Sequence, residues 1–312
     1  MKDLRIVFFG TPVFACSVLQ ALIDEGYTVA AAVSQPDRPV GRKRRIEPTP
    51  VHALADRYGI PVIQPVKLKD EMDAVLAYEP DLIVTCAYGQ FVPSRILQAP
   101  KYGCVNIHPS LLPKYRGGAP VHRAVMNDDR ETGVCLMEMV KEMDAGRVYV
   151  CRKTEIGPDM TTAELNTVLE KISADIIRED LPEYLKGNLP GTPQDPAGVV
   201  LAPNISREEE QVHFSMEEIR MLYAHVRALI DEPYSYGVIE GKRVKFCAAA
   251  MEETETPEAP GTVLGFADHA MRIAAKGGVL CVKELQMEGK GRMNADAFAN
   301  GAGRALTGKV FD

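Results

Sequence analysis

LRIVFFG, running from Leu4 to Gly10, is an unbroken apolar run stopped by a glycine. A stretch with helical spacing, Phe14–Glu25, follows it, and then a second apolar, β-branched run, Thr28–Ser34. A strand apolar on both faces must be covered on both faces, and strand–helix–strand of this kind builds a parallel sheet. The pattern recurs outward. Val51–Tyr58 reads as a helix, Pro61–Ile63 as a short strand and Lys67–Tyr78 as a charged helix. Asp81–Ala87 (DLIVTCA), Cys104–His108 and Gly133–Met139 read as further buried strands. Gln35–Pro50, with prolines at 36, 39, 48 and 50, reads as a loop. The expected fold class is α/β: a Rossmann-like, mostly parallel sheet domain.

The pattern changes near residue 190. A long helix, Thr161–Lys186, runs into a stretch rich in proline and glycine, Gly187–Gly198. One further helix, Met216–Ile230, precedes five short strands: Tyr236–Ile239, Arg243–Ala249, Gly261–Phe266, Met271–Ala275 and Gly278–Leu285. Many short strands in so short a span suggest a small closed barrel. The chain is therefore divided into a sheet domain over 1–189, a linker over 190–206 and an OB-like β-barrel domain over 207–312.

The 312 residues are 46% apolar and 25% charged, with a formal net charge of −7. This excludes a globally basic nucleic-acid binder, so any RNA contact must come from a local patch. Cys16, Cys86, Cys104, Cys135, Cys151, Cys247 and Cys281 are scattered, odd in number and without a C-x-x-C, which predicts reduced, buried thiols. Met1–Phe9 leads straight into strand pattern rather than a signal peptide, and no run of 18 apolar residues occurs. A cytoplasmic, monomeric protein is expected, with no metal, because no histidine sits at ligand spacing from a cysteine or aspartate.

The stretch that carries chemistry is CVNIHPSLLPKYRGGAP, Cys104 to Pro120. Successive side chains of a strand alternate faces, so Asn106 and His108 point one way and Val105 and Ile107 the other. Pro109 ends the strand and leaves both polar groups at its carboxyl end, where open α/β sheets place ligands. An amide N–H and an imidazolium can each donate to a developing oxyanion, and the imidazole can move a proton near neutral pH. The alternative is a pair of satisfied structural polar residues.

N-x-H-x-S-L-L-P-x-x-R-G-x-x-P resembles the signature of the folate-dependent formyltransferases. The resemblance implies a catalytic trio of Asn106, His108 and Asp144, the last within Lys141-Glu-Met-Asp-Ala-Gly146. The family's glycine is often followed by an acidic residue; here Arg147 follows. The resemblance also implies 10-formyltetrahydrofolate as formyl donor. Its site would comprise Tyr88, Gly89, Gln90, Phe91 and Val92 on one loop, and Ser110, Leu111, Leu112 and Pro113 on the other.

Phe9-Gly-Thr-Pro-Val-Phe14 and Ser34-Gln-Pro-Asp-Arg-Pro-Val-Gly-Arg42 are similar to the branch of the family whose acceptor is initiator methionyl-tRNA. Arg38, Arg42, Lys43, Arg44 and Arg45 cluster within eight residues, and such a loop can bind RNA without global basicity. The branch implies that this loop contacts the tRNA. Ile205-Ser-Arg-Glu-Glu-Glu and Ala259-Pro-Gly-Thr-Val-Leu264 resemble its barrel domain. Departures are Asn204 where lysine is usual, Glu232-Pro-Tyr-Ser-Tyr236 where an aromatic–proline pair is usual, and no tryptophan. Residues 207–312 carry 13 Lys/Arg against 17 Asp/Glu, a weak footprint for RNA. A sugar-nucleotide or other small-amine formyltransferase would share the trio. A nicotinamide-dependent oxidoreductase is disfavoured, because Gly10-Thr-Pro-Val lacks G-x-G-x-x-G. A non-catalytic RNA-binding protein would leave the trio without a purpose.

Overall fold

The computed structural model describes residues 3–40 and 44–312. The elements, in chain order, start with β1 (Arg5–Gly10), α1 (Val13–Asp24), β2 (Thr28–Val33), β3 (Arg38–Val40) and β4 (Arg45–Glu47). α2 (Pro50–Arg57), β5 (Val62–Ile63), α3 (Met72–Leu76), β6 (Leu82–Cys86), α4 (Ser94–Leu97) and β7 (Cys104–His108) follow. Next are α5 (Pro120–Met126), β8 (Glu131–Glu138), β9 (Val148–Glu155), α6 (Thr162–Asp175) and α7 (Leu181–Leu185). The last are α8 (Ile219–Ala228), β10 (Tyr236–Ile239), β11 (Lys242–Glu252), β12 (Val263–Ala267), β13 (Ala270–Ala275), β14 (Gly278–Met287), β15 (Met293–Asn294) and α9 (Ala295–Asn300).

The chain forms two compact units. The first comprises Met1–Pro120, Thr132–Thr154 and Asn166–Pro203. It holds a seven-stranded sheet in the order β5-β2-β1-β6-β7-β8-β9. β5, β2, β1, β6 and β7 are parallel, as the continuous apolar runs predict, and β8 pairs antiparallel with β7. Ile6, Val7, Phe8 and Phe9 are fully buried because β1 lies mid-sheet and is covered on both faces. Val7, Phe9, Ala31, Val33, Ile83 and Ile96 form one core layer.

The structure corrects several expectations. The expected loop Gln35–Pro50 contains the β3–β4 hairpin, with Arg38 opposite Glu47. Pro39 lies mid-ladder opposite Ile46, while Pro36, Pro48 and Pro50 lie outside it; a short exposed ladder tolerates the missing N–H. The helix expected over Thr161–Lys186 passes through a π turn at Ile176–Asp180 between α6 and α7. The seven cysteines are not all free thiols: Cys135 on β8 and Cys151 on neighbouring β9 form a disulfide, with Cα atoms 4.1 Å apart. Strand pairing sets these two side by side, which their spacing in the chain does not reveal. The other five are free, and burial pushes the Cys16 thiol up to about 11.

The second unit comprises Val121–Glu131, Glu155–Leu165 and Asn204–Asp312. Its antiparallel sheet runs β10-β11-β14-β13-β12, with β15 beside β14. Phe214, Leu222, Val226, Phe246, Ile273 and Leu280 are among its core residues. The ladder stays open between β10 and β12, and single bridges from the C-terminal tail, Ile239 to Phe311 and Thr262 to Val310, reach toward each edge. Closure is therefore less complete than the strand count suggested. Arg227 is 1% exposed; it donates to Met160 O at 2.6 Å and to Asp128 at 2.8 Å, tying three separate segments of this unit together. Among the described residues, no helix is long and apolar enough to cross a membrane.

Candidate active site

β7 positions the first two groups. Val105 and Ile107 are buried in the core, while Asn106 is half-buried and His108 4% exposed on the opposite face. Beyond β7 the chain turns tightly, with Ser110 N donating to His108 O at 2.9 Å and Ser110 Oγ to Lys114 O at 2.7 Å. That turn carries Tyr115, in the left-handed region at φ 66°, back beneath the imidazole. His108 Nε2 lies 2.9 Å from Tyr115 O. A carbonyl only accepts, so Nε2 bears the proton and Nδ1 is the ring nitrogen left for other partners.

Nδ1 faces Asp144, whose Oδ1 is 3.8 Å away. The aspartate is held from three sides. Its Oδ2 accepts from Gly117 N at 2.8 Å. Its own carbonyl and that of Gly146 each accept from Gln194 Nε2 at 2.8 Å. Arg116 Nε donates to Gln194 Oε1 at 2.9 Å, so one amide side chain joins both loops. Gly117, at φ 132°, could not be replaced without strain, and a Cβ there would sit 2.5 Å from Ala202 O. His108 and Asp144 thus face each other at the carboxyl end of β7, with Asn106 two residues earlier on the same face of the strand. Asn106 Nδ2 has no protein partner among the described residues, while its Oδ1 accepts from Thr85 Oγ1 at 2.7 Å.

An amide donor, an imidazole of fixed tautomer and a carboxylate at this spacing suit acyl transfer. Residues 4–180 match the formyl transferase family, and residues 204–303 match the formyl transferase C-terminal domain. The chain belongs to the formyl transferase family. Methionyl-tRNA formyltransferase of Halalkalibacterium halodurans is 42% identical over 307 residues, covering 97% of this chain and 96% of that protein. The Ligilactobacillus salivarius enzyme of the same name is 43% identical over 309 residues, with 97% and 96% covered. Among solved structures, HypX from Aquifex aeolicus in complex with tetrahydrofolic acid superposes with a TM-score of 0.69 at 20% identity. That match covers 96% of this chain and 47% of HypX, so the chain spans about half of HypX's length.

In this formyl transferase family member the loop after β6 divides its residues between core and surface. The Tyr88 ring is buried edge-on to Phe9, with centroids 5.1 Å apart, and Val92 packs in the same core layer. Gly89 takes φ 90°. Gln90 Oε1 accepts from Leu68 N at 3.0 Å, and Phe91 is 70% exposed. On the second loop Ser110 is fully buried and spends its hydroxyl on Lys114 O, whereas Leu111, Leu112 and Pro113 are half-buried. The apolar side chains that these two loops leave open to solvent are therefore Phe91 and, in part, Leu111–Pro113. Among the described residues, no group of three metal-ligating side chains occurs.

The β3–β4 hairpin exposes Arg38, Arg44 and Arg45; Arg42 and Lys43 lie outside the described residues. Its base is pinned by Asp37, which accepts from Thr49 N at 3.0 Å, His52 Nδ1 at 3.0 Å and Gln64 Nε2 at 2.6 Å. Burial alone would raise the Asp37 carboxyl, but these bonds outweigh it and hold the group below its usual range. Gln35 Nε2 in turn donates to Tyr88 O at 3.2 Å, linking the hairpin base to the loop after β6.

In the second unit Ile205-Ser-Arg-Glu-Glu-Glu forms a reciprocal cap. Glu209 N donates to Ser206 Oγ at 3.3 Å, and Ser206 N to Glu209 Oε2 at 3.0 Å. Arg123 Nη2 also donates to Glu209 Oε2, at 3.0 Å, and holds that carboxyl well down, at about 2. Sequence reasoning missed Thr85, the Tyr115 carbonyl, Gly117 and Gln194. Gln194 lay in the expected linker, and only the glycine pair at 117–118 hinted at a special backbone.

Proposed function

We propose that this chain transfers the formyl group of 10-formyltetrahydrofolate to the α-amine of initiator methionyl-tRNA, releasing N-formylmethionyl-tRNA and tetrahydrofolate for translation initiation. The observation that carries the reading is that His108 Nδ1 and Asp144 Oδ1 face each other 3.8 Å apart, with Asn106 on the same face of β7. The near-full-length likeness to methionyl-tRNA formyltransferases supports the choice of acceptor.

The α-amine attacks the formyl carbon and a tetrahedral oxyanion forms. Asn106 Nδ2 donates to that oxygen, a contribution of about 3–4 kcal/mol to the transition state. The Tyr115 carbonyl keeps the imidazole proton on Nε2, so proton traffic runs over Nδ1. At 3.8 Å the two groups are not hydrogen-bonded to each other, so an amine placed beside the pair can meet both Nδ1 and Asp144 Oδ1. The C–N bond to the amine forms and the C–N10 bond to the folate breaks. The amine's proton passes through His108 and Asp144 to N10, so none is consumed.

Phe91 and Leu111–Pro113 line the donor's pterin side, beside Tyr88, Gly89, Gln90, Val92 and Ser110. Arg38, Arg42, Lys43, Arg44 and Arg45 meet the tRNA backbone. The enzyme of this reading acts as a monomer in the cytoplasm. The test is formyl transfer from labelled formyl-folate to initiator methionyl-tRNA, elongator methionyl-tRNA and a dTDP-amino sugar. The initiator is expected to be labelled fastest. Preferential labelling of the amino sugar would overturn the reading.

A further inference from the structure

The mechanism needs Asn106 to present its amide nitrogen, rather than its oxygen, to the developing oxyanion. Nothing within an asparagine fixes that choice, because rotating the terminal amide by a half-turn exchanges a double donor for an acceptor. Outward-facing nitrogen stabilises the intermediate, whereas outward-facing oxygen repels it.

The partner that can decide lies one strand away. β6 and β7 are parallel neighbours, and Thr85 is the register partner of Asn106. Thr85 is 2% exposed, so water does not compete for its hydroxyl. Three acceptors surround that hydroxyl: Asn106 Oδ1 at 2.7 Å, Met139 Sδ at 3.0 Å and Val105 O at 3.3 Å. A hydroxyl has one proton to give. The amide oxygen is both nearest and stronger than a thioether sulfur, so it receives the bond. If the amide were reversed, its N–H would meet the hydroxyl oxygen. The threonine proton would then have to turn to the sulfur or to the longer contact with Val105.

We propose that Thr85 is a positioning residue: by donating to Oδ1 it sets the polarity of the Asn106 amide and aims Nδ2 at the oxyanion. The proposal rests on the reading of Asn106 as an oxyanion donor. Thr85 touches no substrate; it acts through Asn106 alone.

The experiment is a double-mutant cycle on the full chain, with steady-state kinetics for formyl-folate and methionyl-tRNA. Thr85→Val keeps the shape and removes the proton. It is expected to lower kcat about 10-fold, short of the 10²–10³-fold loss of a whole oxyanion donor, with both KM values within about twofold. Thr85→Ser keeps the proton and is expected to restore kcat to within about threefold of the natural chain. In an Asn106→Ala background, Thr85→Val should slow turnover by less than about twofold, because the group it orients is gone. A kcat for Thr85→Val within about twofold of the natural chain overturns the proposal. So does a Thr85→Ser variant as slow as Thr85→Val, or an undiminished Thr85→Val effect in the Asn106→Ala background. If Asn106→Ala alone keeps the natural rate, the oxyanion reading itself fails and the proposal falls with it. Should Thr85→Val not fold, Thr85→Ala enters the same cycle with the same expected outcomes.

Discussion

His108 Nε2 donates to the main-chain oxygen of Tyr115 across 2.9 Å, and Nδ1 is thereby turned toward Asp144. Both nitrogens of a catalytic imidazole are seldom interchangeable, because the partner of one sets the proton on the other. Here the partner is backbone, so the tautomer depends on the path of the 109–116 turn rather than on any side chain.

That asymmetry separates two amide replacements of the histidine. Asparagine can place an amide oxygen, an acceptor, near Nδ1, and glutamine can place an amide nitrogen, a donor, near Nε2. His108→Gln should keep the bond to Tyr115 and lose about 10²–10³-fold in single-turnover rate, as His108→Ala does. His108→Asn should retain at least about tenfold more activity than His108→Gln, since it preserves the reactive side. A His108→Gln variant faster than His108→Asn would place the chemistry on Nε2, and equal rates would refute the asymmetry.

Gln194 makes three hydrogen bonds, one to each of two loop carbonyls and one from Arg116. Removing them with Gln194→Ala should destabilise the protein by about 2 kcal/mol, at about 1 kcal/mol or less per bond. Gln194→Glu should be worse than Gln194→Ala, because a carboxylate oxygen replaces the donor facing two carbonyls. Urea unfolding ranks the variants. In both, turnover should fall more than stability explains, since, among the described residues, the Asp144 loop is then held only by Gly117.

Acid should loosen the second unit in a defined window. Hydrogen bonding from Arg123 lowers Glu209 to about 2, against opposition from partial burial. A carboxyl whose folded pKa is depressed stabilises the protein above its unfolded value, about 4.3, and that contribution is lost as pH falls toward the folded value. The side chain is 39% exposed, so screening reduces the contribution to about 1 kcal/mol. Glu209→Gln should therefore flatten the fall in stability between about pH 4.5 and 2. A parallel acid limb in the variant and the natural chain would assign the transition to another group.

The hairpin arginines are expected to bind phosphate rather than bases. Replacing Arg44 and Arg45 with Ala should weaken tRNA binding for initiator and elongator alike. The slope of log affinity against log salt should shrink by roughly 0.7–0.9 for each cation removed. An unchanged slope in filter-binding titrations would take the hairpin out of the RNA interface.

How far the sequence reaches is clearest along β7. Period-two alternation puts Asn106 and His108 on one face, and Pro109 marks where they emerge; the buried Val105 and Ile107 agree with this. Asp144 is different. Nothing local distinguishes it from any turn aspartate, and it joined the trio only through a resemblance to known motifs. The β3–β4 hairpin has no apolar period in the sequence to reveal it, because its strands are short, polar and broken by proline.

Residue order alone was enough for the α/β class, the change of architecture near residue 190 and the shared face of the amide and imidazole. These follow from local periodicity and from which side chains must leave water. Folding had to supply the protonated nitrogen of His108, the polarity of Asn106, the clamp by Gln194 and the pairing of Cys135 with Cys151. The first depends on the path of a tight turn, and the others on contacts between different strands and loops. Several run through backbone carbonyls or N–H groups, which every residue carries alike and no letter in a sequence can mark.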